Sequence, residues 1–241
     1  MAWELLATFS RPNNFPHIRI ILTLTYSSFF QDAKISYQGI GNNGFSTHVW
    51  ETFRYYTCGL LIGLIWGVVS SIFLYFHEKL RAVSEPIFEF VRIVPPLILA
   101  PFLLIIFKDN PVAKLFIVIF YTSLSLNIYC LNALDHVNRN YVHLANLFRL
   151  SKFKFVKDIL MPSILPAILG GLRINIAMSL GVLIVSEAIG SFYGIGKILA
   201  VIQQFNDAAY IFVCIFWAVV IVLFFDLLLM IIVKKKMFWV S

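Results

Sequence analysis

The chain has 241 residues, of which 60% are hydrophobic and 13% charged, with a mean hydropathy of +0.87 and a formal net charge of +7. A soluble globular domain carries about a quarter charged residues, so this composition excludes one and reads as a multi-pass membrane protein. The cations gather at the ends of apolar runs instead of along a stripe, which excludes a nucleic-acid surface and fits membrane orientation.

Residues 1–50 are the least membrane-like part and form an N-terminal interfacial or outer segment; residues 51–241 form the membrane domain. Pro12, Asn13, Asn14 and Pro16 interrupt the first stretch, and Gly39, Gly41, Asn42, Asn43 and Gly44 predict a loop. Between them, Ile18 to Phe30 is apolar but shorter than the ~20 residues a crossing needs, so it predicts a helix lying on the bilayer. The opening residues lack the basic and apolar regions of a cleavable signal peptide.

The first span is expected from Tyr55 to Phe76, without a charge. Gly59, Gly63, Gly67 and Ser71 recur on one helical stripe and predict close approach of another helix. A short cytoplasmic turn, His77 to Arg81, follows. The His77-Glu78 pair is not a zincin site, because Arg81 stands where the second His would be. The second span, about Pro86 to Phe107, contains Pro95, Pro96 and Pro101 and predicts either a kinked packing helix or a helix lining the substrate path. Lys108, Asp109, Asn110 and Pro111 predict an outer turn.

The third span, Leu115 to Leu134, carries Thr122, Ser123, Ser125, Asn127 and Asn132, which seek partners on other helices or a wet cavity. A basic loop, about residues 135–166, comes next. Its cations are Arg139, Arg149, Lys152, Lys154 and Lys157 and its long stretch from Asn140 to Pro166 holds one anion, Asp158, which places it in the cytoplasm. Leu144, Leu147, Phe148 and Leu150 are interleaved with polar positions at helical spacing. Ser151 is positioned to cap a second helix, and Pro162 and Pro166 are expected to end the element before the fourth span.

That span is expected from Ala167 to Ser186, with Arg173 near the cytoplasmic end, Asn175 inside and Glu187 at the outer end. Ser191 to Asp207 is the outer loop, where Gly194 and Gly196 permit tight backbone. The fifth span, Ala208 to Val233, is interrupted by Asp226 and stops at Lys234, Lys235 and Lys236, which fixes a cytoplasmic C-terminus. Alternation then puts the N-terminal segment outside. Cys58, Cys130 and Cys214 lie inside apolar runs with no metal or disulfide spacing, and no metal site is expected.

The loop resembles the cytoplasmic coupling helix-turn-helix of ABC-importer permeases, which reads Glu-Ala-Ala, a Gly four residues after the second Ala, then an apolar residue and Leu-Pro. In that register His143 takes the Glu position, Leu144 the first Ala, Ala145 the second and Arg149 the Gly; Ser151, Ile159 and the Met161-Pro162 pair also fall in place. Val91 to Phe107 resembles the Arg-x-x-Pro-Pro-Leu run of the branch serving sulfonate, taurine, nitrate, bicarbonate and pyrimidine-precursor importers. Ser186 to Leu199 resembles that branch's Glu-x-x-Gly followed by Gly-Leu-Gly. The resemblance covers Trp50 to the C-terminus.

The resemblance implies an all-α, polytopic transmembrane helix bundle, and about five spans are expected, the family's first helix being missing. It implies a permease subunit in the cell (inner or plasma) membrane, paired with a second permease copy as a homodimer. It further implies two cytosolic ATPase subunits and an extracytoplasmic substrate-binding protein. His143, Leu144, Ala145, Leu147, Phe148, Arg149, Ser151, Met161 and Pro162 would couple to the ATPase. Pro95, Pro96, Asn127, Asn175, Glu187, Gly194 and Gly196 would line or close the translocation path. The sequence has no Walker lysine loop, so ATP hydrolysis belongs on another chain and no cofactor is expected on this one. The competing expectation is a membrane scaffold or regulatory subunit that keeps the fold without transport, favoured by His143 and Arg149.

Overall fold

A computed structural model of the chain describes residues 2–9, 15–32, 36, 44–107 and 111–236. The expected break at Pro12, Asn13 and Asn14, the loop at Gly39, Gly41, Asn42 and Asn43, and the turn at Lys108, Asp109 and Asn110 lie outside them. The described residues form helices and no strand: α1 (Ala2–Phe9), α2 (Ile18–Ser27), α3 (Phe45–Tyr75), α4 (Glu78–Ile93), α5 (Pro96–Phe107), α6 (Pro111–Asp135), α7 (Arg139–Leu147), α8 (Lys152–Phe155), α9 (Met161–Gly190), α10 (Ile195–Gln204) and α11 (Ala208–Lys236). Among them α3, α6, α9 and α11 are long and apolar enough to cross a membrane, and α4 with α5 supplies a fifth crossing if the pair is one interrupted span.

Several boundaries differ from the sequence expectation. Helix α3 begins at Phe45 and runs through Trp50 without a break, so no structural boundary falls at residue 50. Its 31 residues extend about 46 Å, well beyond a ~30 Å hydrocarbon core. The expected turn at His77 to Arg81 is mostly the first turn of α4. The expected single span from Pro86 to Phe107 is divided: Val94 is extended (φ −65°, ψ 117°) because the residue before a proline is pushed out of helical conformation, and α5 restarts at Pro96. Pro86 and Pro101 stay within helices.

Pro162 and Pro166 do not end the element either. They lie in α9, which is entered through a π turn, Val156–Leu160, where Met161 donates its N–H to Val156 five residues back. The wider turn sits just before the prolines, which cannot donate to Asp158 and Pro162 four residues behind them. The Ser163 hydroxyl bonds the neighbouring Ile159 carbonyl at 2.7 Å.

The chain groups into two compact units. One comprises Met1–Cys58, Pro96–Ile117 and Leu180–Phe225. Aromatic contacts hold it together: Trp3 packs on Phe15 and Phe212, Phe29 stacks on Trp217, and Phe53 and Tyr56 pack on Phe225. Helix α2 has no buried residue and exposes Ile18, Ile20, Leu22 and Tyr26.

The second unit comprises Gly59–Pro95, Val118–Ser179 and Asp226–Ser241. Its core is Leu74, Cys130, Leu131, Leu134, Leu160, Ile164 and Ile168. The small-residue stripe on α3 does what its spacing predicts. A Cβ on Gly63 would come within 2.8 Å of Thr122 Cβ, and one on Gly67 within 2.9 Å of Leu126 Cβ, so α3 and α6 pack almost backbone to backbone. Gly171 of α9 does the same against Tyr129.

Candidate functional site: an exposed apolar loop and a buried helix cap

In the second unit, the loop is a helix-turn-helix built by local chemistry. Helix α7 ends at Leu147, and after Phe148 comes Arg149 with φ +50°, a left-handed conformation that costs an L-residue about 1–2 kcal/mol. The turn closes as a Schellman motif: Leu150 donates its N–H to the Ala145 carbonyl, six-to-one, at 2.9 Å. The Gly position of the resembled motif therefore keeps its left-handed geometry with an arginine in it. Ser151 then caps α8, its hydroxyl accepting the Lys154 N–H at 3.4 Å.

This turn presents apolar side chains to the outside. Leu147 is 78% exposed, Phe148 71% and Phe153 76%, while Ala145 is buried. Leu144 and Tyr141 are half exposed, and His143, Arg149 and Ser151 are exposed. Met161 is half buried against the unit's core and Pro162 is exposed. Thus Leu144, Leu147 and Phe148 share one open edge with His143, whereas Ala145 and Met161 face inward.

In the first unit, three of the residues expected along a path, Glu187, Gly194 and Gly196, come together with His48 and Thr52. Helix α10 begins at Gly194 (φ +127°), whose lack of a side chain leaves its first N–H groups uncapped from within. Three side chains from elsewhere take them. Gly194 donates its N–H to His48 Nδ1 at 3.1 Å, Ile195 to Thr52 Oγ1 at 2.9 Å, and Gly196 to Glu187 Oε2 at 3.1 Å. The Thr52 hydroxyl donates in turn to the Glu187 carboxylate, at 2.9 and 3.0 Å. His48 and Thr52 are four residues apart on one face of α3, and His48, Thr52 and Glu187 are each 0% exposed. A Cβ on Gly194 would collide with the Glu187 carboxylate, and one on Gly196 with the Ile184 carbonyl. A carboxylate at a helix N-terminus is favoured by the helix dipole and by the free N–H groups. Lys114 approaches the same loop and donates to the Tyr193 carbonyl at 2.9 Å.

His48 and Thr52 were not singled out by sequence reasoning. Their partners lie 135 to 146 residues away, and nothing local marks them except their four-residue spacing.

Of the other expected path residues, Asn127 and Asn175 are buried in the second unit. Asn127 donates to Ser70 at 2.7 Å and Asn175 to the Gly171 carbonyl at 2.9 Å, and the Oδ1 atoms of both have no hydrogen-bond partner among the described residues. Pro95 is exposed at the break before α5, and Pro96 opens α5. Arg173 and Asp226, the charges inside the fourth and fifth spans, pair with each other: Nε donates to Oδ1 at 2.9 Å. Among the described residues no group of three or more His, Cys, Asp or Glu side chains is placed to hold a metal.

Comparison with known proteins agrees with this architecture. Residues 59–236 match the family described as "binding-protein-dependent transport system inner membrane component". The bicarbonate transport system permease protein CmpB of Synechococcus elongatus is 30% identical over 139 residues, covering 57% of this chain and 50% of the relative, so the chain spans about half that relative's length. A probable ABC transporter permease protein of Haemophilus influenzae is 26% identical over 83% of this chain and 77% of its own. The fold is that of a chain of the MetNI methionine ABC transporter solved in inward-facing conformations, with a TM-score of 0.70 at 18% identity, covering 85% of this chain and 99% of that one. With three quarters of its length inside the family match, this chain belongs to the binding-protein-dependent transport system inner membrane components.

Proposed function

We propose that the chain is the transmembrane permease subunit of an ATP-driven importer. Two copies would enclose one path, two cytosolic ATPase subunits would dock on the two loops, and an external binding protein would deliver a small polar solute. The observation that carries this reading is the exposed apolar edge of Leu144, Leu147 and Phe148 on a basic, capped helix-turn-helix. An exposed apolar edge of this kind marks an interaction surface, and a docked ATPase is the partner this reading gives it. The positive-inside bias puts that edge and the Lys234–Lys236 end of α11 on the cytoplasmic side.

In this reading, ATP binding would draw the two loops together and move the bundle between inward- and outward-facing states as rigid parts. Asn127 and Asn175, with their unengaged oxygens, would face the wet interior, with the proline break at Pro95-Pro96 beside it. Glu187, Gly194 and Gly196 would act differently, by holding α10 as a fixed element of the external closure. Relatives whose names specify a cargo carry bicarbonate, nitrate, aliphatic sulfonates or formylaminopyrimidine, all small and polar.

The test is a mild-detergent pull-down of the tagged chain with mass identification. An ATPase subunit in equal amount supports the permease reading. A chain that comes down alone, or with an unrelated enzyme, contradicts it.

A further inference from the structure

At the root of the loop, within the second unit, Arg81 of α4 grips the last residue of α6. Its Nη1 and Nη2 donate to Asp135 Oδ1 and Oδ2 at 2.7 and 2.6 Å, a two-pronged bond across 54 residues of sequence. Its Nε donates to Glu85 Oε2 at 3.0 Å, one turn along α4. The arginine side chain is 18% exposed, against 44% for Asp135, so the guanidinium is the sheltered centre of the cluster. A fork of this kind fixes direction as well as distance, which a single ammonium cannot do.

The position of this fork matters. Asp135 ends α6, and α7 begins at Arg139, after a tight turn in which His136 and Val137 donate to Ala133 and Leu134. Leu134 is 2% exposed and Val137 packs on the core, so the root of α7 is pinned from below by apolar contact. On its open side lies a cleft of about 970 Å³, lined by Tyr75, His77, Arg81, Asp135, Val142 and His143 among others. At the wall of that cleft, the Arg81 fork is a polar connection between the start of α4 and the last residue of α6, at the root of α7.

The geometry points to Arg81 and Asp135 as the positioning pair that carries displacement of the coupling helix α7 into α4. The inference rests on the proposed coupling role of the loop. A push on α7 reaches the α6–α7 turn, and the fork transmits it to the first turn of α4. Apolar packing joins the same elements, since Phe88 of α4 packs on the core that Leu134 and Val137 share, but it lacks the fixed direction of the fork.

The experiment uses the assembled transporter in proteoliposomes, with Val83→Cys on α4 (62% exposed) as a maleimide reporter and the exposed natural thiol Cys58 replaced by Ser. The readouts are the MgATP hydrolysis rate and the change in labelling rate at position 83 on adding MgATP with orthovanadate. With Arg81 and Asp135 intact, trapping changes the labelling rate about fivefold or more, the range of an ordinary coupling energy. Arg81→Ala and Asp135→Asn keep hydrolysis but lose that change, and the exchanged pair Arg81→Glu with Asp135→Arg restores it. An unchanged response in Arg81→Ala overturns the proposal, as does an exchanged pair no better than the single variants. Leu147→Asp with Phe148→Asp is the control. If it leaves both hydrolysis and the response intact, the coupling reading itself falls; if it abolishes them while Arg81→Ala does not, only the positioning role falls.

Discussion

Thr52 and Glu187, 135 residues apart, share a hydrogen bond that closes the N-terminus of a third helix: the Thr52 hydroxyl donates to the Glu187 carboxylate and accepts the Ile195 N–H. Helix α10 is thereby capped by α3 and α9 instead of by its own sequence. Removing Thr52 leaves the Ile195 N–H and one side of the carboxylate unsatisfied in a site with no exposure. Thr52→Val should therefore destabilise the protein by about 1–3 kcal/mol. Glu187→Gln keeps an acceptor for Gly196 and should cost less than Glu187→Ala. Thermal unfolding midpoints of the three variants in one detergent give the comparison, and equal midpoints for Glu187→Gln and Glu187→Ala would contradict the cap.

Arg149 supplies a prediction of opposite sign. It holds a left-handed conformation at the turn after α7, where glycine pays no steric penalty. Arg149→Gly should stabilise the loop, by up to about 1 kcal/mol after glycine's larger backbone entropy is counted, and Arg149→Val should destabilise it. Amide exchange at Leu150, whose N–H closes the Schellman turn, reports the change directly: slower in the glycine variant and faster in the valine variant.

The N-terminal segment should respond to acid. The His17 ring hydrogen-bonds the Glu4 carboxylate at 2.6 Å, and this bond, with the Ile18 N–H, holds Glu4 below the ordinary carboxylate range. A carboxylate whose folded pKa is depressed adds stability above its unfolded pKa and loses it as pH falls through the folded value. Acidification through and below the carboxylate range should thus release Glu4 from the start of α2. Trp3, whose indole N–H bonds the Pro16 carbonyl and whose ring packs on Phe212, reports it. Fluorescence of a variant retaining Trp3 as its single tryptophan should shift with acid, and adding Glu4→Gln should remove the acid dependence.

The broad architecture was legible because it rests on local signals. Charge-free runs and the Ser151 cap act through neighbours in sequence, and the Gly63–Gly67 stripe shows in its own spacing even though its partner is α6; each stands where its residues predict. The ends of the spans were less legible. Pro162 and Pro166 read as terminators because a proline removes a backbone bond. The π turn at Val156–Leu160, which rearranges the bonding just upstream, has no sequence signature. Glu187, Gly194 and Gly196 stood out from the family pattern, but not their role. It depends on His48 and Thr52, polar residues on a helix whose own run gave no reason to extend it back to Phe45.

The measurement that bears most directly on the central claim is a site-specific crosslink in the assembled complex. Single cysteines at Phe148→Cys, on the apolar edge of the loop, and at Tyr26→Cys, 89% exposed on α2, are compared under a short bifunctional reagent. The account predicts a crosslink from position 148 to the ATPase subunit and none from position 26, whose segment the proposed topology assigns to the outside. No crosslink at 148, or equal crosslinking at both, would contradict it.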